Sequence, residues 1–95
     1  PSASSGQLGR EVAQIDRARA ALAAGNAATA LAELDGFERL TQTGVLDREA
    51  RVLRIDALSK LGRSAEARAQ AERYLQAFPH DAHAARLRAL VGNEP

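Results

Sequence analysis

The chain has no cysteine, so no disulfide, thiolate nucleophile or sulfur-ligated metal can be built from its 95 residues. Methionine and tryptophan are absent too, and the aromatics are three: Phe37, Tyr74 and Phe78. So few rings make no row of stacking platforms for bases, and a net charge of +1 makes no basic face for a phosphate backbone. Nucleic acid is therefore not an expected partner. No apolar run approaches the ~20 residues that span a bilayer, and direct membrane insertion by this segment is not expected. Strand-like alternation, a glycine-rich phosphate loop and a workable Ser-His-Asp spacing are all missing. His80 and His83 have only Asp81 near them in sequence, a thin set for the three or four ligands in fixed geometry that zinc takes. The expectation is a protein that is not an enzyme and holds no cofactor and no metal.

What the chain does contain is a motif written twice. GNAATALAELDGF and GRSAEARAQAERY align on Gly25 and Gly62, so that Ala30 pairs with Ala67, Leu34 with Ala71, Phe37 with Tyr74, Ile15 with Val52 and Ala18 with Ile55. The period is 37 residues. A repeat of this length made of two amphipathic helices cannot bury its apolar face alone and stacks on its neighbour.

Periodicity divides the chain into five helices. The first, over about 8–24, places Leu8, Val12, Ile15, Ala18 and Leu22 on one face, and Gly25 ends it as a left-handed C-cap. Asn26 is placed to cap a second helix, to about residue 41, that buries Ala27, Ala30, Leu31, Leu34 and Phe37 and carries Gly36 as an interior weak point. Thr43 and Gly44 break the chain, and Asp47 is the expected N-cap of a third helix burying Ala50, Leu53, Ala57, Leu58 and Leu61. After Gly62, Ser64 opens a fourth with Ala67, Ala71, Tyr74, Leu75 and Phe78 inward, and Pro79 stops it. Asp81 is expected to cap a fifth, to about residue 91, through Ala84, Leu87 and Leu90. Ala30 and Ala67 stand at a fixed distance from each glycine, as close helix crossings require.

Twelve of the thirteen basic residues are arginine, with Lys60 the exception, a bias that reads as gene base composition and marks no site. Asp35 with Arg39, Asp47 with Arg51, Asp56 with Lys60 and Arg68 with Glu72 are four apart and read as solvated surface pairs. Arg48, Arg51 and Arg54 on the third helix are the charges placed to meet an acidic partner.

GNAATALAEL and GRSAEARAQAERYLQAFP resemble the second-helix portion of tetratricopeptide repeats: a glycine turn, a small residue five later, an aromatic or apolar position, and a closing proline. The second copy, residues 48–81, fits best, with Gly62, Ala67, Tyr74 and Pro79 in place and Ile55 and Leu58 as first-helix core. The first, residues 11–44, has Gln42 where proline is expected and a link three residues longer; both lack the family's first-helix aromatic and glycine. The resemblance implies an all-α, right-handed antiparallel helical-hairpin stack, two repeats plus a C-terminal capping helix, whose first helices line a concave face. That face would be Val12, Ile15, Arg19 and Leu22 with Glu49, Val52, Asp56, Ser59 and Lys60. It is mixed in charge and lacks the lysine and asparagine cluster with which some members clamp a terminal carboxylate.

The function so implied is non-catalytic: a scaffold binding a peptide or helix of another protein through the concave face. The alternative is a structural, self-associating or spacer module, a homo-oligomer included. The style resembles modules appended to bacterial envelope proteins and implies a periplasmic setting, although composition fixes no compartment. The expected layout is a flexible Ser/Gly-rich linker over 1–7, the repeat domain over 8–91 and a frayed tail over 92–95; a chain opening on Pro1 without methionine reads as a piece of a longer protein.

Overall fold

Gly25 and Gly62 adopt φ values of 84° and 78°, a region that costs other residues about 1–2 kcal/mol. Each closes its helix with the same two backbone bonds. Asn26 N–H reaches the Ala21 carbonyl and Gly25 N–H that of Leu22; Arg63 N–H reaches Leu58 and Gly62 N–H reaches Ser59. The computed structural model describes residues 2–92, and these form α1 (Ser2–Ala23), α2 (Ala27–Leu40), α3 (Asp47–Lys60), α4 (Ser64–Ala77) and α5 (Ala84–Gly92). Pro1 and the tail over 93–95 lie outside the described residues. Successive helices pack antiparallel into a stack of hairpins, with extents of 52 × 29 × 18 Å. The smallest dimension is about two helix layers, as a stack of hairpins requires.

Two core clusters share α3. Ile15, Ala18, Leu34, Phe37, Ala50 and Leu53 form one; Val52, Ile55, Leu58, Ala67, Ala71, Tyr74 and Leu87 form the other. α3 is thus buried on two sides, between the hairpin before it and the helices after it. Ala30 meets Ala57 and Ala27 where α2 crosses α3, and Ala30 and Ala67 are both fully buried, as their place in the repeat requires. α5 packs on α4 and closes the second cluster with Leu87, which is 1% exposed, while Leu90 and Val91 pack against it.

Several expectations are corrected. α1 begins at Ser2, not Leu8, so residues 2–7 are helix and not linker. Tertiary bonding overrides the Ser/Gly composition, because Gln7 Nε2 donates 2.8 Å bonds to the Leu40 carbonyl and to Glu11. Leu8 and Val12 are exposed; the inward stripe runs one residue earlier, through Gln7, Glu11, Ile15 and Ala18. Leu61 is 40% exposed because it follows the last turn of α3 as its C-cap. The N-cap of α3 is Leu46, with Asp47 its first residue, and Asn26 holds the N-cap position of α2 without a side-chain bond. α5 starts at Ala84, and Asp81 instead holds the turn before it, where its carbonyl accepts from Ala84 N–H.

Gly36 has a purpose that its helix propensity conceals. A Cβ there would lie 2.8 Å from Gln14 Nε2, whose amide crosses from α1 to donate to the Glu33 carbonyl at 2.9 Å and its carboxylate at 2.6 Å. The missing side chain makes room for an interhelical bond.

Candidate functional site

The nine residues expected to line a binding face separate into three groups. Ile15 and Val52 are 2% and 3% exposed and belong to the core, so neither can touch a partner on this stack. Leu22 is half-buried against both the first cluster and the Ala27–Ala30–Ala57 contact. The remaining six, Val12, Arg19, Glu49, Asp56, Ser59 and Lys60, are exposed or half-exposed. Val52 is buried because α3 is flanked on both sides, whereas Ile15 lies on the face that α1 turns to Leu34, Phe37, Ala50 and Leu53.

The charged members of the face bridge α1 to α3 and α3 to α5. Arg19 donates to Glu49 at 2.6 Å and to Asp16 at 3.0 Å; Arg86 donates to Asp56 at 2.8 Å. Arg19 and Asp56 are equivalent in the 37-residue register, and each pairs with a residue thirty positions on, with the signs reversed. Asp56 thus reaches across helices and not along α3 to Lys60. Asp35 does the same, receiving Arg54 from α3 at 2.8 Å, while Arg54 also lies 3.0 Å from Glu38. Such exposed pairs are worth little individually, about 0.2–1 kcal/mol, but they fix which helices stand side by side. Between α3 and α5 an open groove of about 250 Å³ remains, lined by Asp56, Ser59, Arg86, Leu87, Ala89 and Leu90.

The arginines expected to meet an acidic partner are occupied within the chain. Arg48 lies 5.0 Å over the Phe78 ring and 3.6 Å from Asp81; Arg51 lies 5.8 Å from Phe78 and 6.0 Å from Tyr74. Tyr74 is fully buried, tilts against Phe78 at 5.1 Å between centroids and donates its hydroxyl to Asp81. Burial, then the bond to Asp81 and its negative charge, push the Tyr74 phenol up to about 12. The same bond, helped by the Ala82 and His83 backbone N–H groups and by Arg48, holds Asp81 below its ordinary value against the opposing effect of burial. These contacts seal the α4–α5 junction.

The α2–α3 junction is sealed by a group absent from the expected set. Glu11 is fully buried, and its carboxylate accepts five hydrogen bonds. Oε1 receives the Thr41 and Thr43 hydroxyls at 3.0 and 2.6 Å; Oε2 receives Gln7 Nε2 at 2.8 Å and the Gln42 and Thr43 backbone N–H groups at 2.9 and 3.2 Å. Burial pushes this carboxyl up, but the Thr43 hydroxyl, the Gln42 N–H, Gln7 and the Thr43 N–H together outweigh it and hold it at about 2. The signal was available in the sequence, since Glu11 follows Gln7 by one helical turn and precedes Ile15 by another on the inward stripe.

Among the described residues no group of three or more His, Cys, Asp or Glu is placed to hold a metal ion, and no helix is long and apolar enough to cross a membrane. Comparison with protein-family models, with curated proteins and with solved structures finds no match for this chain.

Proposed function

We propose that this protein is a non-catalytic docking module of tetratricopeptide style that receives a peptide or helix of another protein along the flank formed by α1, α3 and α5. The observation that carries this reading is the groove between α3 and α5, with Ala89 and Leu90 as its accessible apolar part above the buried Leu87, and Asp56, Ser59 and Arg86 as its polar part. It includes two of the residues nominated from sequence, and Lys60 adjoins it along α3. A mostly apolar cleft with a few placed polar groups is what recognition of a peptide side chain needs. The charges along the flank have both signs, which suits a mixed-charge helix better than a phosphate backbone.

A photoreactive residue at Ser59, compared with one at the exposed Gln76 of α4, tests this in the cells that make the protein. Protein adducts concentrated at position 59 are expected; adducts equal at both positions, or confined to position 76, would contradict it. A second reading, self-association, has its own support in Leu8 and Val12, one turn apart on α1 and 37% and 41% exposed. Sedimentation of the wild-type chain and of a Leu8→Lys, Val12→Lys variant separates the two: a dimer that the variant abolishes favours self-association, and a wild-type monomer favours docking.

A further inference from the structure

Every group around Glu11 donates to it, and this asymmetry has a consequence when a proton arrives. At Oε2 the three donors are N–H groups, two of them backbone, which cannot reverse to accept. At Oε1 the donors are hydroxyls, which can rotate. A proton on Oε1 is therefore tolerated there, but it removes the negative charge that made all five bonds charge-assisted, and it turns one of the two threonine hydroxyls from donor to acceptor. Thr43 Oγ1 also accepts the Val45 N–H at 3.2 Å, so the rearrangement extends down the loop.

Three elements face the carboxylate. From α1 come Gln7 and, through a 2.9 Å bond to Gln7 Oε1, the Arg10 guanidinium; from the end of α2 comes the Leu40 carbonyl, which shares Gln7 Nε2; from the α2–α3 link come Thr41, Gln42 and Thr43. The charges that flank these elements are directed elsewhere. Glu38 is held by Arg54, Glu49 by Arg19, Asp47 borders with Arg51 a cavity that Thr41 also lines, and Arg39 is exposed. Glu11 is thus the ionised group on which this junction depends.

We propose that Glu11 is an acid-released latch: ionised, it fastens the α2–α3 link to the first turns of α1, and protonated, it frees that end of the stack while the α3–α4 hairpin stays folded. The separation follows from the two-cluster core. No residue of the Val52, Ile55, Leu58, Ala67, Ala71, Tyr74 and Leu87 cluster takes part in the latch, and the exposed Leu8 and Val12 lie on the helix it fastens.

Hydrogen exchange resolved by residue tests this, read as protection relative to the unstructured rate at each pH. In the wild-type chain, protection at Gln42 and Thr43 should fall by at least about tenfold below pH 4, one pKa unit of linkage, while Leu58 and Ala71 keep theirs. Glu11→Gln, which resembles the neutral acid, should show the weakened link already at pH 7 and no acid step. Thr43→Val removes one hydroxyl and leaves the backbone donor, and should move the release to higher pH. Protection at Gln42 and Thr43 that is flat from pH 5 to 2, or lost together with Leu58 and Ala71 in a single step, would overturn the proposal. So would a Thr43→Val transition at or below the wild-type pH. That second variant keeps the test open if Glu11→Gln does not fold.

Discussion

Glu11 and Arg48 occupy the same position in the 37-residue register, and each reaches the link that follows its own hairpin. Glu11 is buried and accepts bonds from Thr41 to Thr43; Arg48 is largely exposed, lies over Phe78 and approaches Asp81. The same place in the repeat does the same task with opposite charge. Arg19 and Asp56 repeat the lesson at the helix bridges. Duplication therefore preserves where a side chain points, because that follows from helix phase and crossing, while the chemistry at its tip can invert provided the partner inverts too.

The two junctions differ in what fills them. Phe37 and Tyr74 are equivalent and buried, but only Tyr74 carries a hydroxyl, and it closes the second junction onto Asp81. Phe37→Ala and Tyr74→Ala should each cost about 3–5 kcal/mol in urea melts, the largest single effects expected here. A much smaller loss at one of them would show that the two hairpins do not share a core position. Next comes Ala67→Leu, which should overpack the α3–α4 hairpin by about 1–3 kcal/mol, whereas Ala65→Leu, exposed on the same helix, should change stability little. Equal effects at 65 and 67 would remove the close-crossing argument.

Tyr74→Phe sharpens the contrast between the junctions, because it makes the second resemble the first without leaving a cavity. It should cost about 1.5 kcal/mol at pH 7 through the lost bond to a carboxylate. Its pH signature is specific. The phenol is raised from 10.0 to about 12, so its contribution is complete below pH 10 and disappears as pH climbs toward 12. Wild type should lose stability across that interval, and Tyr74→Phe should lose less. The smallest effect is expected at Gly36→Ala, where a helix gain of about 1 kcal/mol opposes about 1 kcal/mol of displaced Gln14 bonding. A change beyond about 1 kcal/mol either way would mean that one of these terms is misjudged.

Much of the fold was legible because glycine and alanine carry geometric requirements that few other residues meet. Gly25 and Gly62 mark turns that need positive φ, and Ala30 and Ala67 mark crossings that need a small side chain. The binding face was less legible. Val52 is buried because α3 has a second buried side that only the stack shows, and Ile15 because it lies on the inward stripe of α1 with Glu11 and Ala18. The first turns of α1 were missed because their inward stripe is polar: Gln7 and Glu11 are buried for their hydrogen bonds, and apolar periodicity assigns Leu8 and Val12 to that role instead. The cation–aromatic seal of Arg48, Arg51, Tyr74 and Phe78 joins the start of α3 to the end of α4, a closeness that sequence spacing does not display.

The claim that equivalent repeat positions close the two junctions rests most directly on the ionisation of Glu11. Its ordinary value is 4.5, and against burial the Thr43 hydroxyl, the Gln42 N–H, Gln7 and the Thr43 N–H hold it at about 2, so its stabilisation is complete above pH 4.5 and declines as pH falls toward 2. A carbon-13 NMR titration of the Glu11 side-chain carboxyl reads this in the intact protein. The account predicts an inflection near pH 2, moving upward in Thr43→Val. An inflection near 4.5 in the folded wild-type chain, unmoved by that substitution, would show that Glu11 is not held by the α2–α3 link and would contradict it.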